Sequence, residues 1–159
     1  MLDIDGVLNL IPQGHDKFGA IFHQHFIDNL KELLDATGAK IVISSSWRFS
    51  GLKEMQEMWE VRKLPGEVID ITPTEYFLVK RGHFENYDDV CRGNEIQFWL
   101  DEHPEVTNYL ILDDDKDMLE SQLEHFVRTS ENHNHTDFVD WGYGLTKECT
   151  KQAIEILNK

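Results

Sequence analysis

The sequence predicts an α/β protein, a three-layer α/β/α sandwich around a mainly parallel sheet. Short apolar segments alternate with amphipathic helical patterns, and polar residues follow several of the apolar segments directly. Strands that alternate with helices pair in parallel through right-handed crossovers. Ligands of such sheets bind outside the carboxyl ends of the strands. The polar clusters that follow Leu2, Ile43 and Leu112 are therefore expected to meet at one edge of the sheet.

Helices and strands are assigned from the hydrophobic pattern. Apolar residues three and four positions apart indicate a helix, and short continuous apolar runs indicate strands buried on both faces. Gly38 and the pair Pro65-Gly66 are placed to end the first two helices. The helices are predicted over 24–37, 51–62, 94–102, 116–125 and 146–158. The strands are predicted at the N-terminus and over 40–43, 68–71, 108–112 and 126–128.

The remaining segments are predicted to be loops without regular structure. They cover 9–22, 72–92 and 130–144. None is long enough for a second folded unit, so a single domain is expected over 1–159. Only Met1 and Leu2 precede the first acidic residue, whereas central strands usually bring more residues. We therefore expect the N-terminal strand to be truncated.

The composition is that of a soluble globular protein. The net charge of −15, from 15 basic and 30 acidic residues, argues against broad nucleic-acid binding but leaves room for a local phosphate pocket. No apolar run is long enough to span a membrane, and no signal peptide is recognisable. Cys91 and Cys149 fit neither a zinc pattern nor a disulfide framework. A cytoplasmic location is expected.

Two pairs of acids stand out as candidate ligands of a divalent cation. Asp3 and Asp5 flank one residue, so on a strand their side chains point to the same side, and Gly6 then breaks the strand. Such a pair can hold a cation and still offer one oxygen as a nucleophile. Asp113 and Asp114 follow the strand 108–112 in the same way. The structural alternatives are turn capping for the first pair and a loop or helix start for the second.

The full set of motifs resembles the haloacid dehalogenase-like (HAD) superfamily of phosphohydrolases. The residues that carry the resemblance are Asp3-Ile4-Asp5-Gly6-Val7, Ser44, Arg92 and Leu112-Asp113-Asp114. A narrower likeness to the HAD domain of multidomain RNA-repair proteins lies in Ser-Ser-Trp-Arg at 45–48, Arg-Gly-x-Glu-Ile-x-x-Trp-Leu at 92–100, and the segments 111–115 and 144–146. The resemblance implies a Rossmann-like sheet, and the short loops imply an open site with no large cap domain.

The resemblance also implies roles for the four acids. Asp3 is expected to attack phosphorus and form an aspartyl-phosphate. Asp5 is expected to protonate the leaving oxygen and then to activate water, with its backbone carbonyl available to the metal. Asp113 and Asp114 would complete a Mg²⁺ site with Asp3 and Asp5.

Polar and basic residues are predicted to surround the phosphoryl group. Ser44 would donate its hydroxyl to a phosphoryl oxygen, and Arg92 would supply positive charge where Lys is commoner in the superfamily. Ser45 and Arg48 are candidate substrate contacts, and Trp47 is expected to line the entrance. The alternatives are a solvated helix start for Arg92, bonds to the backbone for Ser45 and a surface ion pair for Arg48.

These expectations add up to a Mg²⁺-dependent phosphatase that hydrolyses a phosphomonoester through an aspartyl-phosphate. The substrate is expected to be a phosphorylated small molecule, a nucleotide or a polynucleotide end. An end-processing phosphatase of RNA repair and a non-catalytic module that binds phosphate or metal are the two alternatives. The open site favours a large substrate, whereas the acidic net charge disfavours a polynucleotide.

Overall fold

The computed structural model describes residues 1–10, 14–129 and 144–159. The helices are α1 (Gln24–Thr37), α2 (Leu52–Val61), α3 (Glu75–Lys80), α4 (Arg92–Glu102) and α5 (Lys147–Leu157). The strands are β1 (His15–Asp16), β2 (Gly19–Ala20), β3 (Ile41–Ile43), β4 (Val68–Ile71), β5 (Ile111–Asp113) and β6 (Phe126–Arg128). Short 3₁₀ helices cover Ser46–Ser50, Tyr87–Asp89 and Glu120–His125. The predicted α/β fold is confirmed.

Two parallel strand pairs meet at the N-terminal segment of the chain. β3 pairs with β4 and β5 pairs with β6, both in parallel. Leu2 forms parallel bridges to Ile43 of β3 and to Leu112 of β5. The Leu2 amide donates to the oxygen of Val42, and the Asp3 amide donates to that of Leu112, each over 2.9 Å. The N-terminal segment therefore lies between β3 and β5, and all three end at the same edge.

Helix α1 shows how local sequence and packing agree. It spans the predicted range, and its apolar stripe of Phe26, Leu30 and Leu33 is buried in the core. Gly38 ends it in a left-handed conformation with φ 67°, and its amide donates to the oxygen of Leu34 over 2.8 Å. The helix packs against α5. Each buried large apolar side chain contributes about 1.5–3 kcal/mol to stability.

Two of the predicted loops contain regular structure. The segment 9–22 includes the small antiparallel hairpin of β1 and β2, and its residues 11–13 lie outside the described residues. The segment 72–92 includes α3 and a 3₁₀ helix. Helix α3 begins at Thr74, whose hydroxyl accepts the Phe77 amide over 3.3 Å, and it buries Leu78. A helix of six residues is too short to show a hydrophobic period, so the pattern missed it.

The helix predicted over 116–125 is reduced to a 3₁₀ helix at Glu120–His125. Gln122 explains the difference, because its side chain is fully buried and forms hydrogen bonds to the backbone of Gly93 and Leu119 instead of facing solvent. Its amide nitrogen donates to the oxygen of Gly93 over 2.9 Å, and its amide oxygen accepts the Leu119 amide over 3.0 Å. The tertiary bond to Gly93 and the local bond to Leu119 together favour a tight turn against α4.

Two further observations concern the predicted loop 130–144 and the length of the helices. Apart from residue 144, the predicted loop 130–144 lies outside the described residues. Among the helices within the described ranges, none combines the length and the apolar character that crossing a bilayer requires.

Gly144 provides a test of core packing. It has φ +82°, and an added Cβ would come within 2.3 Å of the Phe26 ring. We expect Gly144→Ala to lower the free energy of unfolding by about 1–2 kcal/mol for the left-handed backbone and by a further ~1–3 kcal/mol for overpacking. Gly38→Ala is the matched control, because its φ is +67° with nothing within 4 Å of the added Cβ. Equal losses in urea unfolding of the two variants would contradict the packing assignment.

Candidate active site

Three carboxylates converge at the shared carboxyl edge of the strands. Asp3 directly follows the bridged Leu2, Asp113 ends β5, and Asp114 comes next. One carboxylate oxygen of each lies within 4.8 Å of the other two. Asp3 is 7% exposed and Asp113 is 3% exposed. The structure thus brings together Asp3 of the N-terminal segment and the Asp113-Asp114 pair at the end of β5.

The environment of these acids disfavours their charged forms. Burial raises the pKa of Asp3 to about 6. Burial, followed by the nearby Asp3 charge, raises the pKa of Asp113 to about 7. Burial also raises the pKa of the Asp114 carboxyl. Buried like charges this close need a compensating cation to remain ionised at neutral pH.

The donor set fits a Mg²⁺ ion. The Oδ1 atom of Asp113 accepts the Asp115 amide over 3.0 Å. Its Oδ2 atom is buried and has no hydrogen-bond partner among the described residues. A buried carboxylate oxygen without a donor, beside two further carboxylates, is a ready ligand for a hard divalent cation. Asp3, Asp113 and Asp114 are the side chains that would hold it.

Asp5 lies near this cluster but in a different environment. Its side chain is exposed, and it lies outside the group of three carboxylates. Asn9 Nδ2 donates to its Oδ1 over 2.8 Å, and Trp47 Nε1 donates to its Oδ2 over 2.9 Å. Two neutral donors therefore fix the orientation of the Asp5 carboxylate, and Asp5 lines the cavity. A contact of Asp5 with the metal stays a prediction.

Trp47 is itself held in place by the hairpin and by α2. Its indole meets the Phe22 ring edge-on, with centroids 5.4 Å apart. The Arg62 guanidinium carbon lies 5.8 Å from the Trp47 ring and 4.6 Å from the Phe22 ring. Arg62 in turn donates to both carboxylate oxygens of Asp16 over 2.9 and 2.7 Å. This chain of contacts fixes the indole that orients Asp5.

Arg48 is buried and holds several backbone segments together. It pairs with Glu95 over 2.8 Å, and both side chains are nearly inaccessible. Its guanidinium donates to carbonyl oxygens at the ends of β3 and β4, those of Ser44, Ser45, Thr72 and Pro73. These bonds make Arg48 a structural link between strand ends and α4, and direct contact of Arg48 with substrate stays a prediction.

Arg92 lies at the start of α4 and faces the carboxylates. Its Nη1 atom contacts Glu95 over 2.8 Å, and its Nε atom lies 3.7 Å from Asp113 Oδ2. Its positive charge opposes the rise in the pKa of Asp3 and of Asp113. Glu95 is buried between Arg48 and Arg92. Sequence reasoning missed Glu95, although its spacing of three residues from Arg92 was a signal.

The three serines after β3 lie in different environments. The Ser45 hydroxyl bonds to the Asp3 carboxylate and opposes the rise in its pKa. Ser46 lines the cavity. Ser44 is fully buried, and within the described residues its hydroxyl has no partner. The structure therefore brings Ser45 rather than Ser44 against Asp3, and a phosphoryl contact of Ser44 stays a prediction.

The acids and Arg92 line an open cavity of about 440 Å³. The chain matches the model of one protein family, the HAD domain in Swiss Army Knife RNA repair proteins, over residues 1–136. The chain belongs to this family. The resemblance read from Asp3, Asp5 and the Asp113-Asp114 pair is thereby confirmed. Neither a curated protein nor a solved structure matches the chain.

Membership in this family supports a phosphohydrolase of the HAD type or a role in RNA repair for the chain. The matched range contains every site residue named from the sequence, from Asp3 to Asp114. The residues that only the structure adds to the candidate site are Asn9, Trp47 as a partner of Asp5, and Glu95. The Trp47 contact with Asp5 and the Arg48 contact with Glu95 join segments far apart in the chain, whereas Asn9 lies only four residues from Asp5.

The crowded carboxylates predict how stability depends on pH and Mg²⁺. The unfolded chain ionises Asp3 and Asp113 near pH ~4, whereas the folded chain holds their protons to higher pH. Without metal, the free energy of unfolding should therefore fall as the pH rises from about 4 to about 7. Mg²⁺ should reverse this loss at pH ~7 and raise the melting temperature by several degrees.

Asp113→Asn is the variant that isolates this effect. It removes one of the repelling charges and one metal ligand together. Thermal melts in EDTA and in MgCl₂ should show a smaller loss with pH and little gain from Mg²⁺. A variant that Mg²⁺ stabilises as much as the natural chain would contradict the ligand assignment.

Proposed function

We propose that the chain is a Mg²⁺-dependent phosphatase that hydrolyses a phosphomonoester through an aspartyl-phosphate. The observation that carries the proposal is the convergence of Asp3, Asp113 and Asp114 beside Arg92 in one open cavity. A carboxylate attacks an anionic phosphate only where cations neutralise the repulsion. Mg²⁺ bound to these acids would supply most of that neutralisation. Arg92 adds a fixed positive charge from the protein.

The two N-terminal aspartates divide the chemistry. An oxygen of Asp3 attacks phosphorus, and the bond from phosphorus to the leaving oxygen breaks as protonated Asp5 gives that oxygen its proton. Ionised Asp5 then takes a proton from a water molecule, which attacks the aspartyl-phosphate. Inorganic phosphate leaves and Asp3 is regenerated. The positions of the two carboxylates support this division, because Asp3 belongs to the group that would hold Mg²⁺, whereas Asp5 lies outside that group and lines the cavity.

A polynucleotide end is the substrate class that the family favours. The matching family is described as the HAD domain of RNA repair proteins. Within the described residues, the segments that flank the cavity add only a small hairpin, α3 and 3₁₀ helices, so the site has no bulky cover there. An open site admits a phosphate carried by a large molecule. A non-catalytic module that keeps the metal for binding is the remaining alternative.

The proposed fold is also finer than the family match. We propose that helices cover both faces of the sheet in a three-layer sandwich. The packing of α1 against α5 and of α2 against β4 supports this arrangement.

Phosphate release tests the proposal directly. Mononucleotides and single-stranded oligonucleotides with a 3′- or a 5′-phosphate are incubated with the chain in Mg²⁺ or in EDTA. We expect phosphate release in Mg²⁺ but not in EDTA. Asp3→Asn should lower the rate of release on the order of 10³-fold or more, because the nucleophile is lost. Asp28→Asn is the matched control, since this exposed acid on α1 accepts a hydrogen bond from Gln24 and does not line the cavity. Activity that survives Asp3→Asn would end the nucleophile assignment.

Trp47 is predicted to position Asp5. Trp47→Phe keeps an aromatic ring but removes the donor to Asp5 Oδ2. We expect kcat to fall about tenfold or more with little change in KM, because a hydrogen bond to a charged group is lost. Trp59→Phe is the matched control, because it removes an indole donor that bonds the oxygen of Pro65 instead. Similar kcat losses in both variants would mean that Trp47 acts only through packing.

A further inference from the structure

Exposed aromatic side chains concentrate beside the cavity. Of the large hydrophobic side chains that are exposed in the described residues, the aromatic ones are Phe49, Tyr76, Phe77 and Tyr87. They belong to the 3₁₀ helix 46–50, to α3 and to the 3₁₀ helix 87–89. The cavity is lined by Phe49 of the 3₁₀ helix 46–50, by Glu75 of α3 and by Val90, which follows the 3₁₀ helix 87–89. Aromatic exposure on one part of a surface marks an interaction site.

Three of these side chains form what we call the aromatic rim: Phe49, Tyr76 and Tyr87. Phe49 is 64% exposed, although it lines the cavity. The rings of Tyr76 and Tyr87 are nearly parallel, with an interplanar angle of 14° and centroids 6.5 Å apart. Phe77 is excluded from the rim because its ring packs edge-on against Phe98 with centroids 6.0 Å apart.

Cations accompany the rim. The guanidinium carbon of buried Arg48 lies 5.8 Å from the centroid of the Phe49 ring. Arg48 is tied to four carbonyl groups and to Glu95, so the cation beside the Phe49 ring is itself held in place. Lys80 Nζ lies 5.8 Å from the centroid of the Tyr76 ring. The rim thus offers flat apolar faces and one surface ammonium group.

We propose that the aromatic rim binds the bases of a single-stranded polynucleotide whose terminal phosphate enters the cavity. Every base has a flat face that stacks on aromatic side chains, so such a surface accepts many sequences. The position of the terminal phosphate rests on the proposed phosphatase function, whereas the stacking does not. With a net charge of −15, the chain draws its affinity from stacking more than from contacts to phosphates.

Direct binding tests the rim without relying on catalysis. Fluorescence anisotropy with Mg²⁺ measures the affinity of the Asp3→Asn chain for a labelled single-stranded RNA of eight nucleotides that carries a terminal phosphate. Adding Phe49→Ala or Tyr76→Ala should weaken binding about 5- to 100-fold for each lost stack. Val61→Ala is the matched control, because it removes an exposed apolar side chain from α2 and should leave binding unchanged.

Two comparisons define the ligand further. The same RNA in a duplex should bind more weakly than the single strand, because its bases are already stacked. Affinity should change little with salt, since few phosphate contacts are involved. Unchanged binding in the rim variants, or tighter binding of a phosphoserine peptide than of the single strand, would overturn the proposal.

Phosphate release separates this proposal from the proposed function. Glycerol phosphate has no ring to stack, so Tyr76→Ala, at a residue that does not line the cavity, should lower kcat/KM for the phosphorylated single strand relative to kcat/KM for glycerol phosphate. Binding that depends on the rim, without phosphate release from any substrate, would reject the phosphatase and keep the stacking surface. Hydrolysis of both substrates with a ratio of kcat/KM values that Tyr76→Ala leaves unchanged would keep the phosphatase and reject the surface.

Discussion

The repulsion between the buried carboxylates of Asp3 and Asp113 is the constraint on which the site depends. The two side chains meet because their strands are neighbours, joined by the hydrogen bonds of Leu2, Asp3 and Leu112. No stability argument favours two acids there, since burial raises the pKa of both. Their arrangement makes sense as a site for a cation, which turns the repulsion into ligand binding.

The positive charges around this cluster are themselves held by a buried acid. Glu95 contacts both Arg48 and Arg92 over 2.8 Å. Arg48 uses this pairing to join the ends of β3 and β4 to α4, while Arg92 remains partly exposed and faces Asp113. One carboxylate therefore serves two arginines with different tasks, of which one is structural and the other is electrostatic. The pairing also keeps the Arg92 charge near the carboxylate of Asp113.

Asp3 and Asp5 are two residues apart in sequence but differ in environment. Asp3 is buried, accepts a bond from Ser45 and shares its surroundings with the other acids. Asp5 is exposed and bonded by the neutral donors of Asn9 and Trp47. Of the two carboxylates, Asp3 is therefore the one that belongs to the group able to hold a cation, whereas Asp5 is oriented by neutral donors outside that group. The hairpin that braces Trp47 through Arg62 thereby contributes to the site from outside the cavity.

Local pattern by itself determined the order of the main helices and strands and the acids at the strand ends, and the resemblance of the motifs to HAD proteins indicated the family. The helices, strands and acids follow from residue spacing within a few positions, as in α1 and in the pair Asp3 and Asp5. Only the tertiary structure decided that Ser45 contacts Asp3, that Arg48 is buried and that Trp47 bonds to Asp5. These contacts join side chains about 40 residues apart. No local periodicity encodes them, because they depend on how neighbouring strands end and on what packs behind them.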